Sequence, residues 1–564
     1  MRKTLGMTKK GILCLLAVAA CSHTSGPPST VPVRSRYPGN LAAARPLTHA
    51  ERTHFTETSR YADVMQFIDS LKVFGAQIHV GSIGKTNEGR DIPYVVASRP
   101  LVTTPIEAKR MRRPIVYVQA NIHAGEVEGK EALQSILRDL LFDHRANVLD
   151  SIILIAVPIY NADGNERFAP QERNRTEQNG PVLVGTRANA QGLDLNRDYI
   201  KAEAPETVAS LAMFRAWDPD VFVDLHTTDG SYHGYALTYA ATLNPAAFVA
   251  LPFTRDTMLV ELRQRMRDVH GFEVFDYGNF PREQGAPTAW ETYDSRPRFG
   301  TNYYGLRGRI SILSEAYSHD PFERRVASTY DFVSEILSWT AEDAGDIVDL
   351  SRMADSKATG WGNDLRSAPA VPIRSTIATT RSGPIRVEDI VRTGDSVRYE
   401  AGLPRGVKRT GAVRTIDMPI YDRFTPTLSV PMPWAYAFPR DVGDSIVRRL
   451  VMHGVVVEQL GQSVDGRVAG FTVDSTSTAA QPFQKHHERR IAGSWGEPAT
   501  RTLAPGTFIV RTGQPLGILA MYLLEPSSDD GFVDWNVLDP WANEHVFPVV
   551  RIVQPVAATL RPIS

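Results

Sequence analysis

The sequence predicts an α/β protein: a mainly parallel mixed sheet with helices on both faces, followed by a C-terminal β-rich accessory region. Three observations predict it. Short apolar runs alternate with helix-period segments between residues 61 and 339. Those runs are apolar throughout rather than at every second position, as strands buried on both faces require. Beyond residue 366 the pattern changes to short apolar runs broken by Pro and Gly.

The elements follow in order. Val64, Phe67, Ile68 and Leu71 recur at helical spacing and predict a helix over 61–74. Residues 77–83 and 92–97 read as strands around the turn-rich segment 84–90. Then come a strand over 115–120, a helix over 131–142, a strand over 152–159 and a helix over 207–217. A strand at 221–225, a helix at 254–269, a strand at 309–313 and a helix at 323–339 complete the alternation. Residues 340–365, acidic and Gly-rich, read as a boundary. Beyond it, 444–452 reads as a helix, and 507–510 and 517–524 as strands.

At 564 residues the chain exceeds one ordinary domain. The expected division is a signal over 1–21, a Ser/Pro-rich tether over 22–49, the α/β domain over 50–345 and the β-rich region over 366–564. Arg2, Lys3, Lys9 and Lys10 precede an apolar run over 12–20, too short to span a membrane. The run ends in Val18-Ala19-Ala20-Cys21, which resembles a bacterial lipoprotein signal with Cys21 as the lipid-bearing residue. Ser22, rather than Asp, after that cysteine favours the outer membrane, so the expectation is an exported protein lipid-anchored to the cell envelope.

Composition narrows the chemistry. Lys plus Arg total 62 against 63 Asp plus Glu, a net charge of −1 that provides no basic field for nucleic acid. The two cysteines, Cys14 and Cys21, both lie in the signal. A metal site in the mature chain must therefore use His and carboxylate, and a cysteine nucleophile is excluded.

Chemistry-bearing residues cluster where strands end, the place where open α/β sheets bind ligands. His123 and Glu126 follow the 115–120 strand, His226 follows 221–225, and Glu315 follows the last strand. Asp194, Asn196 and Arg197 lie in the connecting segment. A lone His-x-x-Glu is weak, and a lone His after a strand is usually a structural residue. The ordered set is far less accidental.

That set resembles the zinc carboxypeptidases of the M14 metallopeptidase family. The resemblance covers roughly residues 50–340 and begins at Ile83-Gly84-Lys85-Thr86-Asn87-Glu88-Gly89-Arg90. It implies one zinc ion on His123, Glu126 and His226, with Glu315 as general base and acid. It implies an oxyanion-stabilising arginine, for which Arg173 and Arg175 both stand as candidates. Asn196 and Arg197 would hold a substrate's terminal carboxylate, Asp194 would orient a zinc-bound imidazole, and Tyr303, competing with Tyr304, would line the site. Side-chain specificity would reside within 285–302.

Other residues take plainer readings. Glu128 and Glu131 are expected to solvate a helix start, and His233 to serve structure or a pocket wall. His319 reads as a loop residue, and His486-His487 as part of a solvated charged turn. The expected function is hydrolysis of the C-terminal bond of a peptide with a free carboxylate. Its rivals are a zinc amidase acting on cell-wall peptides or acyl amino acids, and an inactive surface binding protein. The sequence leaves the oligomeric state and the role of 366–564 open.

Overall fold

Alternate residues of the buried strands feed two separate cores, and this puts the sheet in the middle of the molecule. The computed structural model describes residues 45–563, apart from 144, 282–285, 379–380 and 542–544. The signal, Cys14, Cys21 and nearly all of the tether lie outside the described residues. The sheet comprises β1 (His79–Lys85), β2 (Asp91–Ala97), β3 (Ile115–Ala120), β4 (Ile153–Val157), β5 (Val221–Thr227), β6 (Leu237–Ala241), β7 (Val274–Asp276) and β8 (Ile310–Ala316). Their spatial order is β1-β2-β4-β3-β5-β8-β6-β7. The four central strands run parallel, while β1, β2 and β6 add antiparallel pairings.

On one face, Val116, Val118, Val221 and Ile310 pack with α1 (Tyr61–Val73), α2 (Glu128–Phe142), α4 (Leu259–Asp268) and α5 (Phe322–Glu342). On the other, Ile115, Tyr117, Ile155 and Phe222 pack with α3 (Pro205–Trp217). That second core does not stop at the sheet. It runs on without a break into Ile373, Tyr436, Leu519 and Trp535 of the C-terminal region. A seven-stranded antiparallel sheet and a long hairpin, β9 (Arg381–Arg392) and β10 (Val407–Tyr421), make up most of the rest. A buried ion pair strengthens the seam: Arg298, 2% exposed, meets Asp530 at 2.8 Å and Glu488 at 2.7 Å.

Two segments take another form than the sequence predicts, and strands β6 and β7 were not predicted at all. The segment read as a boundary is helix α6 (Ala344–Asn363). Its glycines suggested a linker, yet Ile347, Leu350, Ala354 and Ala358 keep a helical stripe buried. Gly362 is needed there, because a Cβ would come within 2.2 Å of the Gly513 nitrogen. Gly517–Leu524 is a helix rather than a strand, with every residue buried. A run apolar all round carries no period to separate the two.

The order of the parallel strands decides where function falls. β3, β5 and β8 are adjacent and point the same way. Their carboxyl ends therefore deliver His123, His226 and Glu315 side by side, with Glu315 in direct register with His226.

Candidate metal centre

The first two ligands come from a turn whose shape is set by Asn121 and by close backbone packing. Asn121 takes φ 66°, a left-handed conformation that Asn tolerates, and turns the chain sharply after β3. Its amide donates to the carbonyls of Ala124 at 3.4 Å and Glu126 at 3.3 Å. Asn161 Nδ2 donates to the Ile122 carbonyl at 3.1 Å from the neighbouring strand end. Gly185 packs against the turn, where a Cβ would lie 2.7 Å from the Ala124 oxygen. That approach carries the following residues, including Arg187, onto the turn.

The ligand atoms converge. His123 Nδ1 lies 3.1 Å from Glu126 Oε1 and 3.2 Å from His226 Nδ1, and His226 Nδ1 lies 3.1 Å from Glu126 Oε2. All three residues are buried, and one ligand atom from each falls within 4.8 Å of the others. Two imidazoles and a carboxylate around a common point are the donor set of a catalytic zinc site. Each imidazole is held from behind by a carboxylate. His123 Nε2 lies 3.0 Å from Asp194 Oδ1, and His226 Nε2 lies 3.0 Å from Asp224 Oδ2. Asp194 thus stands where the sequence reading placed it. Asp224, two residues before His226 on the same face of β5, escaped notice although period-two spacing marks it.

Burial works against ionised Glu126, but His123 and Arg175 outweigh it and hold the carboxyl well below its ordinary range. Glu315, 8% exposed, is pushed well above the ordinary range by burial, helped by the negative charges of Glu126 and Asp229 against the pull of His226. A divalent cation on the three ligands would lower it again, since a nearby positive charge favours the carboxylate.

The arginine candidates separate. Arg173 is exposed on the surface. Arg175 is 8% exposed, and its guanidinium donates to the carbonyls of Thr227 at 2.6 Å and Thr228 at 2.8 Å while pairing with Glu177 at 2.9 Å. It lies 3.4 Å from Glu126, but nearly all of its donors serve the protein. Arg187, which the sequence reading missed, is 40% exposed and aimed by Asp194 at 2.9 Å, with Nη1 3.4 Å from Glu126 Oε1. It lines the same cleft of about 200 Å³ as His123, Glu126 and Arg175. Its position seven residues before Asp194 on one loop was the available signal.

Asn196 is 7% exposed, and its Oδ1 accepts from the Gly300 N–H at 2.8 Å. Arg197 stacks on Phe299, with Cζ 3.9 Å from the ring centroid. Among the described residues no carboxylate forms an ion pair with Arg197, and burial lowers its pKa despite nearby Asp194. A half-buried cation with no anion of its own suits an anionic ligand.

Tyr303 is not at this site. It is fully buried, its hydroxyl bonded to His453 Nδ1 at 2.8 Å and receiving Arg307 Nη1 at 3.3 Å, because its helix turns it into the core beneath. Tyr304 packs there too, 3.6 Å centroid to centroid on Phe214. The aromatic wall beside Arg197 is instead Phe299, Tyr293 and Tyr277, with successive centroids 5.1 and 5.6 Å apart. Burial and the charge of Glu315 raise both tyrosine hydroxyls. Tyr293 and Phe299 fall inside the stretch expected to set specificity.

Glu128 and Glu131 do not solvate a helix start. Both are buried: Glu128 bonds Thr227 Oγ1 and pairs with Arg325 at 3.3 Å, and Glu131 accepts from Thr58, Ser59 and the Ser59 amide. His233 and His319 are buried, with burial pushing them down to about 3 and about 4. They serve structure.

An α/β sheet carrying a three-ligand centre at its strand ends, with a carboxylate beside it, defines a metal-dependent hydrolase. Residues 64–270 match the family model described as zinc carboxypeptidase, Peptidase M14. Carboxypeptidase 2 of Trichophyton rubrum is 22% identical over 483 residues, 83% of this chain and 81% of the relative. Carboxypeptidase D of Drosophila melanogaster is 29% identical over 164 residues, 28% of this chain and 11% of the relative. A metallo-carboxypeptidase structure from Burkholderia cenocepacia is 20% identical, covering 51% of this chain and 70% of that one with a TM-score of 0.37. Residues 64–270 are thus an M14 zinc carboxypeptidase-type domain, and with the carboxypeptidase relatives this supports a metallocarboxypeptidase-type hydrolase.

Asp224 gives the test of this geometry. Asp224→Asn keeps the shape and removes the charge behind His226. Metal affinity measured by chelator competition should fall roughly 10–100-fold.

Proposed function

We propose that this protein is a zinc carboxypeptidase that removes the last residue of peptides bearing a free C-terminal carboxylate. The observation that carries the reading is the union of the His123–Glu126–His226 ligand set with Glu315 in register beside it and an anion-free Arg197 on the flanking turn. Zinc held by the three ligands would lower the pKa of a water toward ~7 and polarise the scissile carbonyl.

The chain's own residues would do the rest. Arg197 grips the terminal carboxylate, with Asn196 beside it, and sets the scissile bond over the ligands. Phe299, Tyr293 and Tyr277 wall the terminal side chain. Glu315 takes the proton of the attacking water and returns it to the leaving amine. Arg187 faces the developing oxyanion, since Arg175 is committed to the Thr227 and Thr228 carbonyls.

The basic, apolar and Cys21-terminated start, outside the described residues, supports export and lipid attachment. Among the described residues no helix is long and apolar enough to cross a membrane.

Three results are expected. Glu315→Gln lowers kcat by roughly 10²–10⁴-fold with zinc content unchanged; equal turnover by this variant would remove Glu315 from the mechanism. Arg197→Ala raises KM for a free-carboxylate peptide roughly 10–100-fold, the loss of one charged hydrogen-bonded contact, and abolishes the preference over the matching C-terminal amide. Cys21→Ser moves the protein from the membrane fraction to the soluble fraction on cell fractionation.

A further inference from the structure

A hairpin from the C-terminal region ends on the metal centre. Phe483 and His486 exchange both backbone hydrogen bonds, at 2.7 and 2.9 Å, with only Gln484 and Lys485 between them. Both central residues are left-handed, at φ 50° and 70°. A two-residue turn of this hand favours Asn and Gly, because the Cβ of other residues crowds the backbone. Two long side chains at such positions mark a place where strain is tolerated for a reason.

The reason lies at the tip. The Gln484 amide oxygen accepts the backbone N–H of Asp194 at 2.8 Å. Asp194 holds His123 from behind, pairs with Arg187, and accepts the Asn196 N–H at 2.9 Å, so this one residue joins a ligand, a cation and the carboxylate clamp. The hairpin is itself clamped to the α/β half. His486 lies 2.9 Å from Glu203, Glu488 pairs with Arg298 at 2.7 Å, and Phe483 sits under the Arg298 guanidinium. In the stretch expected to be a solvated turn, Lys485, His487 and Arg490 are exposed, while His486 and Glu488 tie it to the α/β half.

We propose that Gln484 is a positioning residue. It fixes the 194–197 turn, and through Asp194 it fixes the orientation of His123 and the aim of Arg187. The C-terminal region is then a working part of the centre rather than an appended module. This rests on the reading of His123, Glu126 and His226 as a zinc site.

The test uses the full chain with Gln484→Met, which keeps the length and removes the acceptor, and Gln484→Glu, which keeps an oxygen acceptor. In metal-free protein, amide hydrogen exchange across 194–197 should quicken about tenfold in Gln484→Met, since local opening is no longer opposed, and stay near wild type in Gln484→Glu. The zinc dissociation constant from chelator competition should rise about tenfold in Gln484→Met, the low end of what loss of an outer-shell partner costs. Its kcat should fall more than its KM rises. Exchange and zinc affinity within twofold of wild type in a folded Gln484→Met protein would overturn the proposal, as would exchange equally fast in both variants. If Gln484→Met does not fold, Gln484→Asn, one methylene shorter, takes its place under the same criteria. A wild-type chain that binds no zinc would remove the metal reading, while the exchange comparison on metal-free chains would still decide the positioning role.

Discussion

Everything at the centre depends on two imidazoles each being backed by a carboxylate. His123 and His226 turn Nδ1 toward Glu126 and place Nε2 3.0 Å from Asp194 and Asp224. That arrangement fixes which ring nitrogen is free to bind a metal and stops each ring from rotating. Parallel neighbours β3 and β5 bring the rings together, the left-handed Asn121 turns the first loop, and Gly185 lets the Arg187 segment close over it. A fault in any of these would be felt at the ligands.

The surrounding charges leave an excess of carboxylates that a divalent cation would offset. Glu126, Glu315, Asp194, Asp224, Glu177 and Asp229 outnumber Arg175, Arg187 and Arg197 around it. Glu315 is held toward its protonated form, and His226 is held well above its ordinary range, burial opposing and Asp224 prevailing. A metal ion would take over that role and free Glu315 to act as a base. The C-terminal region supports both sides of the cleft. The Gln484 hairpin braces the Asp194 turn, while the Tyr317 hydroxyl, two residues past Glu315, donates to Glu388 at 2.5 Å, itself paired with Arg409 at 2.7 Å.

The local features of the fold and of the centre were legible in the sequence. Strands buried on both faces and helices with one apolar stripe announce themselves, so the α/β alternation and the strand-end positions of His123, His226 and Glu315 followed from spacing alone. What escaped depends on reach and context. Arg187 lies in no local pattern, and only the folded loop shows that it, and not Arg173, faces the cleft. Tyr303 and Tyr304 looked alike beside Tyr293, and the helix that buries them settles their side. Gly517–Leu524 carries no period to tell helix from strand, and α6 hid its stripe among glycines. Gln484 acts on a residue 290 positions away, a distance at which a single sequence carries no signal.

Zinc stoichiometry, measured by elemental analysis of purified protein beside His226→Ala, tests the three-ligand centre most directly. One zinc per wild-type chain and almost none in the variant are expected at equal zinc supply. Wild-type protein that folds yet stays metal-free, or a variant that retains the ion, would contradict it.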